Sequence, residues 1–209
     1  MPGIRLPALA GLAAPPRCAA CAAAVAPRQP LCARCRLELR ATRPAIVTGR
    51  PGLDLAVAAT EYTGAARSLT LGLKFGRRLA LAEVAADLIA LACPARELRG
   101  TVVPVPAAPW RWRWRGFDPA EEIALALAAR TGLPYRDCLR RRGGPRQVGR
   151  PRRERLADPP RVGTRPPIPD RALLVDDVRT TGATLAACAG ALRSAGSRQV
   201  IALTLARSR

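Results

Sequence analysis

One short segment, ALLVDDVRTTGAT at residues 172–184, carries the residues best placed to do chemistry. Its apolar start, 172–175, suits a strand buried on both faces and runs into Asp176 and Asp177. Adjacent carboxylates at a strand end can accept hydrogen bonds from two vicinal hydroxyls, as on a ribose. Thr180, Thr181 and Thr184 then offer hydroxyls, and the N–H groups exposed where a helix begins can wrap a phosphate. The helix dipole favours such an anion by ~0.3–1 kcal/mol at exposed sites. Gly182, followed by the small Ala183, lets the backbone approach closely. A ribose 5-phosphate presents hydroxyls and phosphate at about this separation. A bare DDxxTTG also suits a buried strand that ends in an Asp cap and a Thr-rich turn.

A second constellation lies near the N-terminus. Cys18-x-x-Cys21 and Cys32-x-x-Cys35 are two CxxC pairs separated by ten residues. Each pair turns two thiolates toward one metal, and together they make a tetrahedral site with Zn–S bonds of ~2.3 Å. The intervening AAAVAPRQPL has too little apolar content to fold alone. Structural zinc, which supplies roughly 10–16 kcal/mol in finger peptides, would have to hold it. Arg17, Arg28, Arg34 and Arg36 favour the anionic thiolates. Two disulfides suit only an oxidising compartment, and a redox CxxC needs one pair. With all four positions filled by protein, such a metal is structural. Cys93, Cys138 and Cys188 lie on apolar or mixed segments and read as small core residues.

Absences narrow the chemistry further. The chain has no histidine, which removes Ser-His-Asp and Cys-His catalysis and HExxH zinc sites. Lys74 is the sole lysine and sits in LGLKF, so a Walker A loop is impossible. The formal net charge is +20, which attracts phosphate-rich partners. Abundant Ala, Arg, Gly and Pro also follow from a GC-rich genome, so nucleic-acid binding and mutational bias both account for it. The opening Arg5 and LPALAGLAA resemble a weak signal peptide. That core is short, carries Pro7 and Gly11, and leads into a cysteine pair, so the protein reads as cytoplasmic. No apolar run approaches the ~20 residues of a membrane span.

The elements that would position these residues follow from periodicity. Residues 1–45 read as the zinc module, with Pro44 near its exit, and 46–209 as one α/β domain. Residues 54–61 read as a strand, 64–74 and 79–92 as helices, and 101–105 as a β-branched strand closed by prolines. A helix over 119–130 starts on Pro119, with Asp118 as N-cap and Glu121 and Glu122 in its first turn. Residues 140–155 read as a polar arginine loop. The segment 184–194 reads as a helix with Leu185, Cys188, Ala189 and Leu192 inward and Gly196 as its C-cap. A last strand covers 198–205. Alternating strands and helices imply a parallel sheet of βαβ units, and ligands of such sheets bind where strands end.

The thirteen-residue segment resembles the phosphoribosyl-pyrophosphate (PRPP) signature of type I phosphoribosyltransferases, with Arg179 in place of a frequent aliphatic residue. PPRCAAC…PLCARC, EYTGAARSLTLGLKFGRR, VVPVPAAPWRWRWRGFDPAEEIA, QVGRPRRERLAD and ALLVDDVRTTGATL follow in that order. Their succession resembles the ComF (GntX-like) family over about residues 15–207. The resemblance implies a Rossmann-like, type I phosphoribosyltransferase-like sheet flanked by helices, with an N-terminal zinc-ribbon-like module. It implies a pentosyl transfer from PRPP with Mg²⁺, in which Asp176 and Asp177 form the catalytic pair. Residues 180–184 would hold the 5-phosphate, and 106–111, including Ala107 and Arg111, would form the pyrophosphate loop. Gln147 and Arg155 would belong to a flexible closing loop at about 140–158. Members of the family are linked to natural competence, where imported single-stranded DNA meets a helicase-like partner.

Some residues depart from that pattern. Asp118 and Asp158 stand where Asn is usual, with consequences for loop closure or an Mg²⁺ shell. Thr180 stands where purine-salvage enzymes often carry an acidic base, and no aromatic follows Tyr135. Ordinary purine salvage is therefore disfavoured, leaving an amine or ammonia acceptor, or no catalysis. Eight arginines lie between Arg140 and Arg155, and residues 110–115 alternate Trp and Arg. Interleaved rings and guanidinium groups suit single-stranded nucleic acid, with stacking worth roughly 1–3 kcal/mol per base. Packing of the tryptophans on the zinc module, with the arginines as pyrophosphate ligands, is the alternative.

Overall fold

The apolar run at 172–175 lies at the heart of a five-stranded sheet. The structure, a computed structural model, describes residues 16–75, 80–108, 116–142 and 160–208. In chain order the elements are α1 (Ala33–Ala41), β1 (Ala45–Val47), β2 (Leu55–Glu61), α2 (Gly64–Phe75), α3 (Ala80–Ala92) and β3 (Thr101–Pro104). They continue with α4 (Pro119–Thr131), β4 (Leu139–Arg141), β5 (Val162–Thr164), β6 (Arg171–Arg179), α5 (Ala183–Ser194) and β7 (Gln199–Arg207). The sheet order is β1-β2-β7-β6-β3. β2, β7, β6 and β3 run parallel, and β1 joins the edge antiparallel. The expected α/β architecture with a mostly parallel sheet is what forms.

Both faces of the sheet are covered, as its continuous apolar strands require. On one face Val57, Leu173, Val175, Ile201 and Leu203 meet Leu69, Leu73, Leu81, Ile89, Ile123 and Leu127 of α2, α3 and α4. On the other, Ala56, Leu174, Val200 and Ala202 meet Leu185, Cys188 and Leu192 of α5, with Cys138 and Leu139 beside them. Cys93, Cys138 and Cys188 are all buried, as their apolar settings suggest.

The helix ends follow local rules. α4 carries Pro119 at its start and Asp118 as N-cap, whose side chain accepts from Ala120 N–H. At the end of α5, Ala195 is the cap residue and Gly196 follows at φ +110°. Ser197 N–H reaches back to Leu192 C=O at 3.0 Å, so Gly196 lies one position beyond the cap proposed for it.

Four short elements and several boundaries differ from the sequence expectation. α1, β1, β4 and β5 were not anticipated, and β4 occupies the start of what reads as a loop from Arg140 onward. β4 and β5 pair with each other as a separate two-stranded sheet, where cross-strand pairing replaces the missing apolar periodicity. β6 extends to Arg179, so Asp176 and Asp177 belong to the strand and not to the turn after it. α5 starts at Ala183, one residue before the expected Thr184, with Gly182 at φ +81° as N-cap. Arg111, Gln147, Arg155 and Asp158, the Trp-Arg run and most of the arginine stretch lie outside the described residues.

Candidate functional site

The cysteine centre is assembled by two turns and a helix start. Ala22 takes a left-handed φ of +60°, which lets the chain fold back after the first pair. Cys18 N–H donates to Ala23 C=O at 2.8 Å, closing that knuckle. Cys32 is the N-cap of α1, so the second pair occupies its first turn. All four sulfurs lie within 4.8 Å of one another, and Cys21 Sγ and Cys32 Sγ are 3.7 Å apart. A disulfide needs ~2.05 Å, whereas Zn–S bonds of ~2.3 Å in a tetrahedron place sulfurs roughly 3.8 Å apart. The spacing therefore fits a structural metal ion.

The thiols themselves reflect the crowding. Burial opposes ionisation of Cys18, but backbone N–H groups of Cys32, Ala20 and Cys21 outweigh it and lower that thiol to about 6. Burial, together with the neighbouring sulfurs, raises Cys35 instead. A central cation would let all four share one charge state. The module also packs into the main core, where Cys18, Leu31, Cys35 and Leu39 join the cluster beneath α2 and α3. Glu38 of α1 accepts from Ala65 N–H at 2.8 Å, capping α2 with a carboxylate.

The second site is a cavity of about 390 Å³ at the C-terminal ends of the parallel strands. Asp176, Asp177, Thr180, Thr181, Ala183 and Thr184 form one wall. Opposite them stand Val105, Pro106, Ala107 and Ala108 after β3, with Asp118 at the start of α4. Gly182, the αL cap of α5, turns the chain between the threonines and the helix. Asp176, Asp177, Thr180, Thr181, Ala183 and Thr184 thus line one cavity with Ala107.

Asp176 Oδ1 accepts from Asp177 N–H at 2.8 Å. Burial raises its pKa well above the ordinary carboxylate range, and the charge of Asp177 adds to the rise while Lys74 opposes it. Such a carboxyl gains from any hydroxyl donors or cation placed beside it. Asp177 is matched already, because Lys74 Nζ of α2 lies 2.6 Å from its Oδ2. Asp118 has two tasks. Its Oδ1 accepts from Ala120 N–H at 3.0 Å and its Oδ2 from Ala107 N–H at 2.8 Å. It therefore caps α4 and ties the loop after β3 to that cap. Burial raises its pKa to about 6 against these two donors, with Asp177 adding to the rise.

Several lining residues were not anticipated. Lys74, Tyr62, Phe117, Arg141 and Ser208 all face the cavity. Tyr62 and Phe117 supply rings from before Tyr135, which changes the expectation drawn from the absence of aromatics after it. Within the arginine stretch, Arg140 is held by Asp137 at 2.6 Å, whereas Arg141 reaches the cavity. The sole lysine carries no local motif that would have singled it out. No described helix is long and apolar enough to cross a membrane.

No protein-family model matches the chain. Competence protein ComFC of Streptococcus pneumoniae (strain ATCC BAA-255 / R6) is 34% identical to it over 107 residues. That stretch covers 50% of this chain and 47% of the relative, so the match spans about half the length of each.

Proposed function

We propose that this chain, a ComF-family protein by that likeness, binds PRPP or a related ribose 5-phosphate in the strand-end cavity. One observation carries the reading: an acidic pair, a threonine turn on a helix N-terminus and the Ala107 loop converge on one cavity of about 390 Å³. Asp176 and Asp177 would take the ribose hydroxyls, with Lys74 holding Asp177 in place. Thr180, Thr181, Ala183, Thr184 and the first-turn amides of α5 would take the 5-phosphate. Ala107, fixed by Asp118, would offer its segment to the pyrophosphate. Mg²⁺ suits hard carboxylate oxygens such as these and, when bound, would neutralise charge developing on the pyrophosphate oxygens.

The reaction proposed is displacement of pyrophosphate at the anomeric carbon by an amine-type acceptor. Thr180 supplies no carboxylate base, while Tyr62 and Phe117 leave room for a planar acceptor to pack. The structural metal at Cys18, Cys21, Cys32 and Cys35 is proposed to be zinc. The cellular role is proposed to be in competence, from the printed name of the relative. A second reading, a single-strand-binding adaptor of DNA uptake working with a helicase-like partner, rests on the net charge of +20. Titration of PRPP with Mg²⁺ by calorimetry tests the first reading, for which saturable heat at one site per chain is expected. No heat would remove it. Single-strand binding whose affinity falls steeply with salt is expected of the second, and flat salt dependence would exclude it.

A further inference from the structure

Arg179 is the arginine buried among the described residues, at 8% exposure, and its Nε has no hydrogen-bond partner. Its strand neighbour in register, Arg207, also has an unpartnered Nε but is matched in charge by Glu61 at 3.0 Å. Arg171 and Arg193 are likewise paired, with Glu97 and Asp54. Burying a guanidinium without a counter-charge is costly, so Arg179 marks a place where an anion would lower the free energy.

That place is a separate cavity of about 170 Å³, walled by Arg179, Arg50, Leu53, Ala56, Gly182 and Leu185 among others. No acidic residue lines it. Thr181 and Ala183 line both this cavity and the larger one, so the two flank the same turn. The N-terminus of α5, a twelve-residue helix, also borders it and adds the positive end of its dipole. Burial first, then the charges of Arg50 and Arg207, lower the pKa of Arg179, the strain that a bound anion relieves.

We propose that Arg179 and Arg50, beside the start of α5, form a second oxyanion site, which takes a single phosphate group. Its volume is less than half that of the larger cavity, which suits a phosphate with no nucleoside beside it. The site stands whether or not the larger cavity holds PRPP, because it rests on different side chains. The ligand chemistry is that of inorganic phosphate or the terminal phosphate of a strand.

The full chain is melted in increasing sodium phosphate at fixed ionic strength. A ligand that binds only the folded state raises the melting temperature with concentration, and wild type is expected to show that rise. Arg179→Leu should melt at the same temperature or higher without phosphate, since an apolar replacement removes a buried unpaired charge, and should reduce the rise. Thr180→Val with Thr184→Val removes phosphate bound in the larger cavity, and the rise that remains in this background should be lost on adding Arg179→Leu. Arg50→Leu, at an exposed position, reads the same site if Arg179→Leu does not fold, and loss of its charge-assisted bond should weaken phosphate about tenfold. No rise in wild type, an unchanged rise in both arginine variants, or no remaining rise in the threonine variant would overturn the proposal. Competition by a 5′-phosphorylated but not a 5′-hydroxyl oligonucleotide assigns the site to a strand end, and its absence assigns it to the free ion.

Discussion

At the cysteine centre, four sulfurs from residues 18–35 come within 4.8 Å of one another through two local turns. The strand-end cavity instead draws Tyr62 from the end of β2, Lys74 from α2, Ala107 from the loop after β3, Asp118 from α4 and the threonines from the start of α5. The first site is closed and needs only spacing. The second exists because a parallel sheet delivers distant segments to one edge. Binding energy at the first is folding energy, whereas the second is held in place before any ligand arrives.

The sharpest way to break this contrast is to remove the metal. Cys21→Ser with Cys32→Ser, or a strong chelator, should release about one equivalent of metal per chain and forfeit stabilisation on the order of 10 kcal/mol. Elemental analysis and circular dichroism check both, and disulfides in place of metal would leave chelator-treated protein unchanged.

Leu31, fully buried beneath α2 and α3, ties the module to the rest. Leu31→Ala should cost about 2–5 kcal/mol in denaturant melts, with PRPP binding retained if the cavity is preformed.

The next effect is pH-dependent and belongs to Asp118. Its carboxyl rises from 3.8 to about 6 on folding, so the protonated form favours the folded state. That contribution is complete below pH ~4 and is lost as pH rises through about 6, on the order of 2–3 kcal/mol. Asp118→Asn should flatten this part of the stability curve, while Asp176, raised as well, keeps the remainder. Because the amide has one acceptor oxygen where the carboxylate uses two, the variant should also loosen the Ala107 loop.

The smallest effect is expected at Lys74. Lys74→Met removes the partner of a mostly buried carboxylate and should weaken ribose phosphate binding about tenfold while lowering the melting temperature.

The same contrast explains what the sequence revealed. Local signals read well: the paired CxxC turns, the apolar β6, Asp118 and Pro119 at the head of α4, and the threonine turn. α1 escaped because ARCRLELRA buries only Cys35 and Leu39 and is held by the cysteine turn and by its contact with Ala65. β4 and β5 are three residues each and gain order from each other, not from periodicity. Lys74 and Asp177 meet only through the fold, since nothing in LGLKF announces a partner so far along the chain. Arg179 was visible as an unusual residue in the signature, but its burial beside Arg50 depends on how β6 and α5 sit against residues 50–56.

The central claim is that Asp176, Asp177 and the threonine turn hold a ribose phosphate. Calorimetric titration of PRPP with Mg²⁺ into wild type and into Asp176→Asn with Asp177→Asn tests it most directly. Saturable binding in wild type, weakened about 100-fold or more in the folded variant by loss of two charged acceptors, is the predicted result. Equal affinity in the two proteins, or no binding by wild type, would contradict the account.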